Sequence, residues 1–232
     1  MLKLFKKAAD DAGTGFILPA THQIKAWEKA NRKMRWGIPA SDFAAIGSPP
    51  SLSPKDQIEG FIGSILSYGF GDDGQGQADA VLSGRLAWEY ARKKHGRHTW
   101  KCQYIDFSKT DCFRLRPAAP ARPRGFYYAK FRPGDKFLSL TVAKFRKTLA
   151  GDTGCGPEGI QLLAITHGHL TQLMNHRRMV FMAFADYDVA PYGFHDFFDA
   201  LQMFCSNNTL GLGIGNVDQV YPLFGIPTLR FQ

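Results

Sequence analysis

A mixed α/β fold is expected from three observations: helical periodicity over the first ninety residues, a basic middle that shifts toward alternation, and a last third in which apolar runs alternate with amphipathic stretches. The expected arrangement is a helical amino-terminal half, a small antiparallel basic sheet and a carboxy-terminal strand–helix alternation, with α+β as the alternative. A chain of 232 residues with 44% apolar and 13% aromatic side chains can bury a sizeable core. It reads as one domain, 1–232, divisible at most into a helical part, 1–95, and a sheet-containing part, 96–232.

Residues 21–35 set Ile24, Trp27 and Met34 among Lys25, Lys29, Arg32 and Lys33, the pattern of an amphipathic helix. Ser53, Pro54 and Asp56 supply an N-cap, a first-turn proline and capping-box spacing. Ile58, Phe61, Ile62, Ile65 and Leu66 then follow on one helical stripe, so a helix is expected through residue 66. The loop 69–76 (GFGDDGQG) carries Asp72 and Asp73, which repel phosphate and mark a solvent turn. A helix over 77–94 should bury Val81, Leu82, Leu86 and Tyr90. Segments 100–107, 112–116 and 125–132 alternate as strands of the basic sheet, separated by Pro-rich 117–124 and closed by Pro133 and Gly134. Residues 139–149 read as a helix with Val142, Phe145 and Leu149 inward and Lys144, Arg146 and Lys147 outward.

In the last third, 159–166, 179–185 and 210–214 read as apolar strands, and 170–178 and 194–204 as helices. That order implies parallel strands with crossovers and a ligand crevice beyond their carboxyl ends. Those ends gather His167, His169, Asp186, Asp188, Asn216 and Asp218, with His195 and Asp196 at the next helix start. A His-x-His pair on an extended turn directs both imidazoles to one side. His167 and His169 with Asp186 and Asp188 are therefore the candidate catalytic or metal-ligating set for a divalent cation. The plainer use of the histidines is to cap a helix, and acids in a first turn answer the helix dipole without chemistry. The string LLAITHGHLTQ resembles the strand and His-x-His-x-Asp-His turn of the metallo-β-lactamase fold, and departs from it at Thr171 and Gln172, where that motif has Asp and His. The GLGIG of 211–215 lacks the spacing of a dinucleotide-binding loop.

The net charge of +9 is concentrated: residues 91–147 carry sixteen Lys and Arg against three acids, while 155–232 carry three against six. A field of that density attracts phosphates or an acidic surface. The expected function is a cytoplasmic binding protein that engages nucleic acid or another polyanion through 91–132. Arg92, Lys93, Lys94, Arg97, Lys101, Arg114, Arg116, Arg122, Arg124, Lys130 and Arg132 would neutralise phosphates, and Trp100, Tyr104, Phe126, Tyr127 or Tyr128 would offer stacking faces. One alternative is a metal-assisted phosphoester hydrolase built on the His and Asp groups. Another is an assembly or regulatory protein whose basic face meets an acidic protein. No stretch approaches the roughly 20 apolar residues of a membrane span, and the charged start of the chain is too short for a signal-peptide core. Cys102, Cys112, Cys155 and Cys205 form no Cys-x-x-Cys pair and read as reduced thiols.

Overall fold

The computed structural model describes residues 17–109, 112–137, 140–149, 151–166, 181–190, 197, 199–206, 209–220 and 224–231. Helix α1, Ala20–Met34, buries Gln23, Trp27 and Ala30. The Trp27 indole N–H donates to the Leu66 carbonyl at 3.1 Å, and the Gln23 amide bridges the Ser64 carbonyl and the Leu66 N–H, which fixes α1 against the first strand. After the short α2, Ala40–Ala44, helix α3, Pro54–Glu59, opens with the expected capping box: Ser53 Oγ accepts from the Asp56 N–H, and Asp56 Oδ2 accepts from the Ser53 N–H.

Helix α3 ends sooner than its apolar stripe suggests. Gly60 adopts φ 91°, a left-handed cap that glycine takes at little steric cost, and the chain leaves as strand β1, Gly63–Gly69. Ser64 to Gly69 are all buried. A strand covered on both faces need not alternate, which is why 62–66 imitates a helical stripe. Helix α4, Ala80–His95, starts on an Asp79 cap that accepts from the Leu82 N–H at 2.9 Å. Of the four side chains expected in its core face, Tyr90 is buried, while Val81, Leu82 and Leu86 pack at the margin.

Two sheets complete the fold, so helices with sheet are confirmed as its class. The first runs β1, β4 (Gly125–Arg132), β10 (Thr228–Arg230) and β5 (Thr153–Gly154), antiparallel throughout. The second runs β2 (Thr99–Lys101), β8 (Thr209–Asn216), β7 (Asp199–Ser206), β6 (Phe181–Val189) and β3 (Phe113–Leu115), with β9 (Phe224–Gly225) also beside β6. The three basic strands therefore do not form one sheet: β4 belongs to the first, and β2 and β3 sit at opposite ends of the second. Helix α4 packs on β1 of the first sheet and on β2 and β3 of the second, linking the two.

The strand–helix alternation of the last third is also corrected. Residues 157–166 form helix α6, Pro157–Gln161, running into a wider turn at Leu162–Thr166, where Pro157 sits in the first turn and every residue is buried. Strands β6, β7 and β8 are an antiparallel meander, and the part of 194–204 that is described, from Asp199 on, is strand β7. Pairing with neighbours on both sides overrides the helical spacing of Leu201 and Phe204. The expected helix over 170–178 lies outside the described residues. Helix α5, Val142–Thr148, buries Val142 and Phe145 as expected, but Arg146 turns inward and donates to the Ala185 carbonyl at 2.8 Å.

The end of the chain is held by charge. Arg230 on β10 donates to Asp152 at 2.6 Å, to Glu59 at 2.6 Å and to Asp56 at 2.7 Å, while Lys130 on β4 takes the other Asp56 oxygen at 2.8 Å. The Lys130 and Ser53 hydrogen bonds hold the Asp56 carboxyl well below the usual carboxylate range. A carboxyl depressed on folding stabilises the fold fully above its unfolded pKa, near 3.8, and loses that contribution as pH falls through the lower folded value. We expect Asp56→Asn to lower the urea midpoint at neutral pH and to flatten the decline of wild-type stability below about pH 4. Parallel acid limbs in the two proteins would contradict this assignment.

Candidate polyanion-binding face and the buried arginine network

The basic middle separates into two populations. From Arg114 to Arg132 its cations are paired with carboxylates, Arg116, Arg122, Lys130 and Arg132 inside the molecule and Arg114 and Arg124 at its surface. Arg122 is only 1% exposed. Its Nε donates to Glu158 Oε1 at 2.7 Å, its Nη2 to Asp186 Oδ2 at 2.9 Å, and its Nη1 to the Pro120 carbonyl at 2.6 Å. Burial works against its charge, but the Glu158 and Asp186 carboxylates outweigh that and raise its pKa above the ordinary arginine value. Arg116 takes the second Asp186 oxygen at 3.1 Å, the Thr153 hydroxyl also donates to Asp186, and the Tyr127 hydroxyl donates to Glu158 Oε1 at 2.8 Å.

This network sits where the two sheets meet. Thr153 and Tyr127 come from the first sheet, Asp186 from β6 of the second, and Glu158 from α6. A bulge in β6 between Phe184 and Asp188 frees the Asp186 backbone from β7, so that its N–H reaches the Cys155 carbonyl at 3.1 Å and its carbonyl accepts from Arg116 at 2.7 Å. Two residues on, Asp188 faces Arg114 at 3.7 Å and Arg146 at 2.8 Å. Arg132 pairs with Asp152 at 3.3 Å between the Phe61 and Phe137 rings, and Arg124 pairs with Asp72 at 3.0 Å on the surface.

These placements correct several expectations. Asp186 is 0% exposed and both its oxygens are held by guanidinium groups, so it is built as a counter-ion and not as a carboxylate open to water and metal. Asp188 is likewise buried between arginines. The carboxyl ends of β6 and β8 do lie at one end of the second sheet, because β7 runs between them antiparallel, and Asp188 and Asn216 share that end. His167, His169, His195 and Asp196 lie outside the described residues. Among the described residues no three His, Cys, Asp or Glu side chains gather as a metal site would require. The 162–166 segment is helical, unlike the strand that the metallo-β-lactamase resemblance implies. Arg116, Arg122, Lys130 and Arg132, expected on a binding surface, are turned to internal carboxylates. Phe126 packs on Trp27, Phe43 and Tyr68, and Tyr127 on Phe231, so neither offers a stacking face. Sequence reasoning passed over Glu158; the Gly156-Pro157-Glu158 string, a helix-start pattern with proline then acid, was the available signal.

The second population lies at the ends of two helices. Arg92, Lys93, Lys94 and Arg97 are exposed around the carboxyl end of α4, beside Lys29, Arg32, Lys33 and Arg35 at the carboxyl end of α1. The two ends are joined: Lys33 Nζ donates to the Lys93 carbonyl at 3.2 Å and Lys93 Nζ to the Lys33 carbonyl at 2.8 Å. The Lys33 and Lys94 ammonium groups both stand over the Tyr90 ring, at 5.7 and 5.8 Å. Helix ends favour cations, which accounts for some of this charge. It does not account for the crowding. Burial, then Lys29 and Lys33, push the Lys94 pKa down; burial, then Lys94, Lys33 and His98, do the same to His95. Arg92 and Arg97 have no ion pair among the described residues, and Lys101 donates only to the Ile105 carbonyl.

Two clefts flank Arg92 and Thr99. One, of 530 Å³, is lined by Met34, Glu89, Arg92, Lys93, Gly96 and Thr99; the other, of 290 Å³, by Trp88, Arg92, Thr99, Trp100 and Lys101. Trp100 and Tyr104 are 49% and 43% exposed. The α1 cations had been read only as the solvated face of a helix, and nothing local in the sequence brings them to α4.

No known protein family, curated protein or solved structure matches the chain. Among the described residues no helix is long and apolar enough to cross a membrane, and Cys102, Cys112 and Cys155 are free thiols. Burial first, then the Glu158 and Asp186 charges, raise the Cys155 thiol well above its ordinary value, which keeps it protonated and unreactive.

Removing Asp186 should leave the Arg122 charge buried with one carboxylate fewer. We expect Asp186→Ala to cost about 3–5 kcal/mol in urea unfolding, and added Mg²⁺ or Mn²⁺ to leave the wild-type melting temperature unchanged. A mild Asp186→Ala phenotype together with a metal-dependent rise in melting temperature would reverse the assignment of Asp186.

Proposed function

We propose that this chain binds a polyanion, nucleic acid first, through the cationic face formed by the ends of α1 and α4 and the strand β2. The carrying observation is the set of exposed cations at Arg92, Lys93, Lys94 and Arg97, crowded against those of α1 with no carboxylate partner among the described residues. Crowded like charges raise the energy of the unbound face, and a phosphate chain lying across it relieves that repulsion while releasing its own counter-ions. The proposed surface is narrower than the 91–132 segment read from composition. Arg116, Arg122, Lys130 and Arg132 are neutralised internally, and Arg114 and Arg124 are each shared with an aspartate.

The clefts beside Arg92 give the face relief as well as charge, and Glu89, which pairs with Arg85 at 3.8 Å, is the one acid on their rim. The wild type should bind oligonucleotides with an affinity that falls as salt rises. Arg92→Ala with Arg97→Ala should weaken binding and lower the log–log salt slope by about 1.5. Arg124→Ala, on another surface, should leave the slope unchanged. An oligonucleotide affinity that is unmeasurable at physiological salt, or a double variant that binds like the wild type, would refute the proposal. An acidic protein retained after nuclease treatment would then be the partner to pursue.

A further inference from the structure

We infer that the smaller cleft selects unpaired bases, so that the polyanion held on this face is single-stranded nucleic acid; the inference rests on the polyanion reading above. Phosphate charge alone would require only cations. Here the cations flank an aromatic wall. Trp100 stands in the middle of β2, at the edge of the second sheet, with its inner side packed on Phe204 at a ring separation of 5.6 Å. Its other side is exposed.

Glycine matters under this ring. At Gly211, which pairs with Trp100 in register, a side chain would collide with the Phe204 ring. Gly211 and Gly213 of the GLGIG string thus lie in a strand beside an aromatic pair and not in a phosphate loop. Trp100 is held rigidly from below, which limits the ordering cost of stacking a base on its open side.

Trp88 lines the same cleft and is buried, and its indole N–H has no hydrogen-bond acceptor among the described residues. Arg92 and Lys101 on either side supply charge to the phosphates that flank the base. The volume of 290 Å³ is near the lower limit of small-ligand sites, about 300 Å³, which suits one planar group. Stacking of this kind tolerates any base, because each has a π face. The expected ligand is therefore single-stranded and broad in sequence.

The test uses the full chain and four labelled probes of equal length at one salt concentration: oligodeoxythymidylate, oligouridylate, duplex DNA and an abasic deoxyribose-phosphate strand. The inference predicts that the wild type binds at least one of the two single strands more tightly than duplex or abasic strand, the two arms separating DNA from RNA. Trp100→Ala should weaken that binding roughly 5- to 150-fold and leave abasic-strand affinity unchanged, while Trp100→Phe restores most of the loss. Trp100 is half exposed, so the variants should melt as the wild type does, and melting is measured alongside. Equal affinity of the wild type for the abasic strand and both single strands, or a Trp100→Ala variant with undiminished single-strand binding, overturns base selection while leaving the polyanion reading standing. Failure of all four probes to bind removes both.

Discussion

The Arg122 guanidinium, buried at the seam of the two sheets, is the constraint on which the rest of this structure depends. A guanidinium cannot shed its proton to escape burial, so the surrounding chain must bring it carboxylates and carbonyls. It does so from four directions: Glu158 from α6, Asp186 from β6, and the carbonyls of Pro120 and Gly154. The β6 bulge and the docking of the β5 edge against β6 both serve that arrangement. An apolar seam of similar volume could be as stable. What an ion network centred on a guanidinium with all three nitrogens hydrogen-bonded adds is one favoured register of the two sheets, because a slip would strand a charge in the interior.

This interior use of charge changes what the basic composition means. Part of the excess of bases in the middle of the chain and the excess of acids in its last third meet in one network. Arg114, Arg116 and Arg122 are answered by Asp186, Asp188 and Glu158. What remains unanswered lies at the ends of α1 and α4, where helix-end carbonyls hold some ammonium groups and no carboxylate among the described residues balances them. A surface cation paired with carboxylate gains little from a phosphate, whereas a crowded unpaired one gains more. The proposed function follows from that difference in state, not from the count of Lys and Arg.

Much of the local structure was legible in the sequence. The α1 stripe, the Ser53 capping box, the extent of α4, the alternation of β4 and the apolar runs of β6 and β8 each carry a local signal strong enough to survive folding. The errors share one cause. Short apolar runs do not distinguish a strand buried on both faces from a buried helix, so 62–66 was read as helix and is strand, and 159–166 was read as strand and is helix. The site was half legible. Arg92, Lys93, Arg97 and Trp100 stand out by type and spacing. That Arg122 would find Glu158 and Asp186, 36 and 64 residues away, is a product of tertiary pairing that no local pattern encodes. The opposite charge signs of the middle and last thirds were the only hint.

The central claim is the division of the basic middle into an inward, neutralised set and an outward, unpaired one. Labelling of the native protein with an arginine-specific dicarbonyl reagent, mapped residue by residue by mass spectrometry, tests that division directly. The account predicts rapid modification of Arg92 and Arg97, strong protection of Arg116, Arg122 and Arg132, and loss of labelling at Arg92, Arg97 and the neighbouring Arg32 and Arg35, but not at Arg124, when a saturating oligonucleotide is added. Comparable labelling of Arg122 and Arg92 in the folded protein, or oligonucleotide protection centred on Arg114 and Arg124 instead, would contradict it.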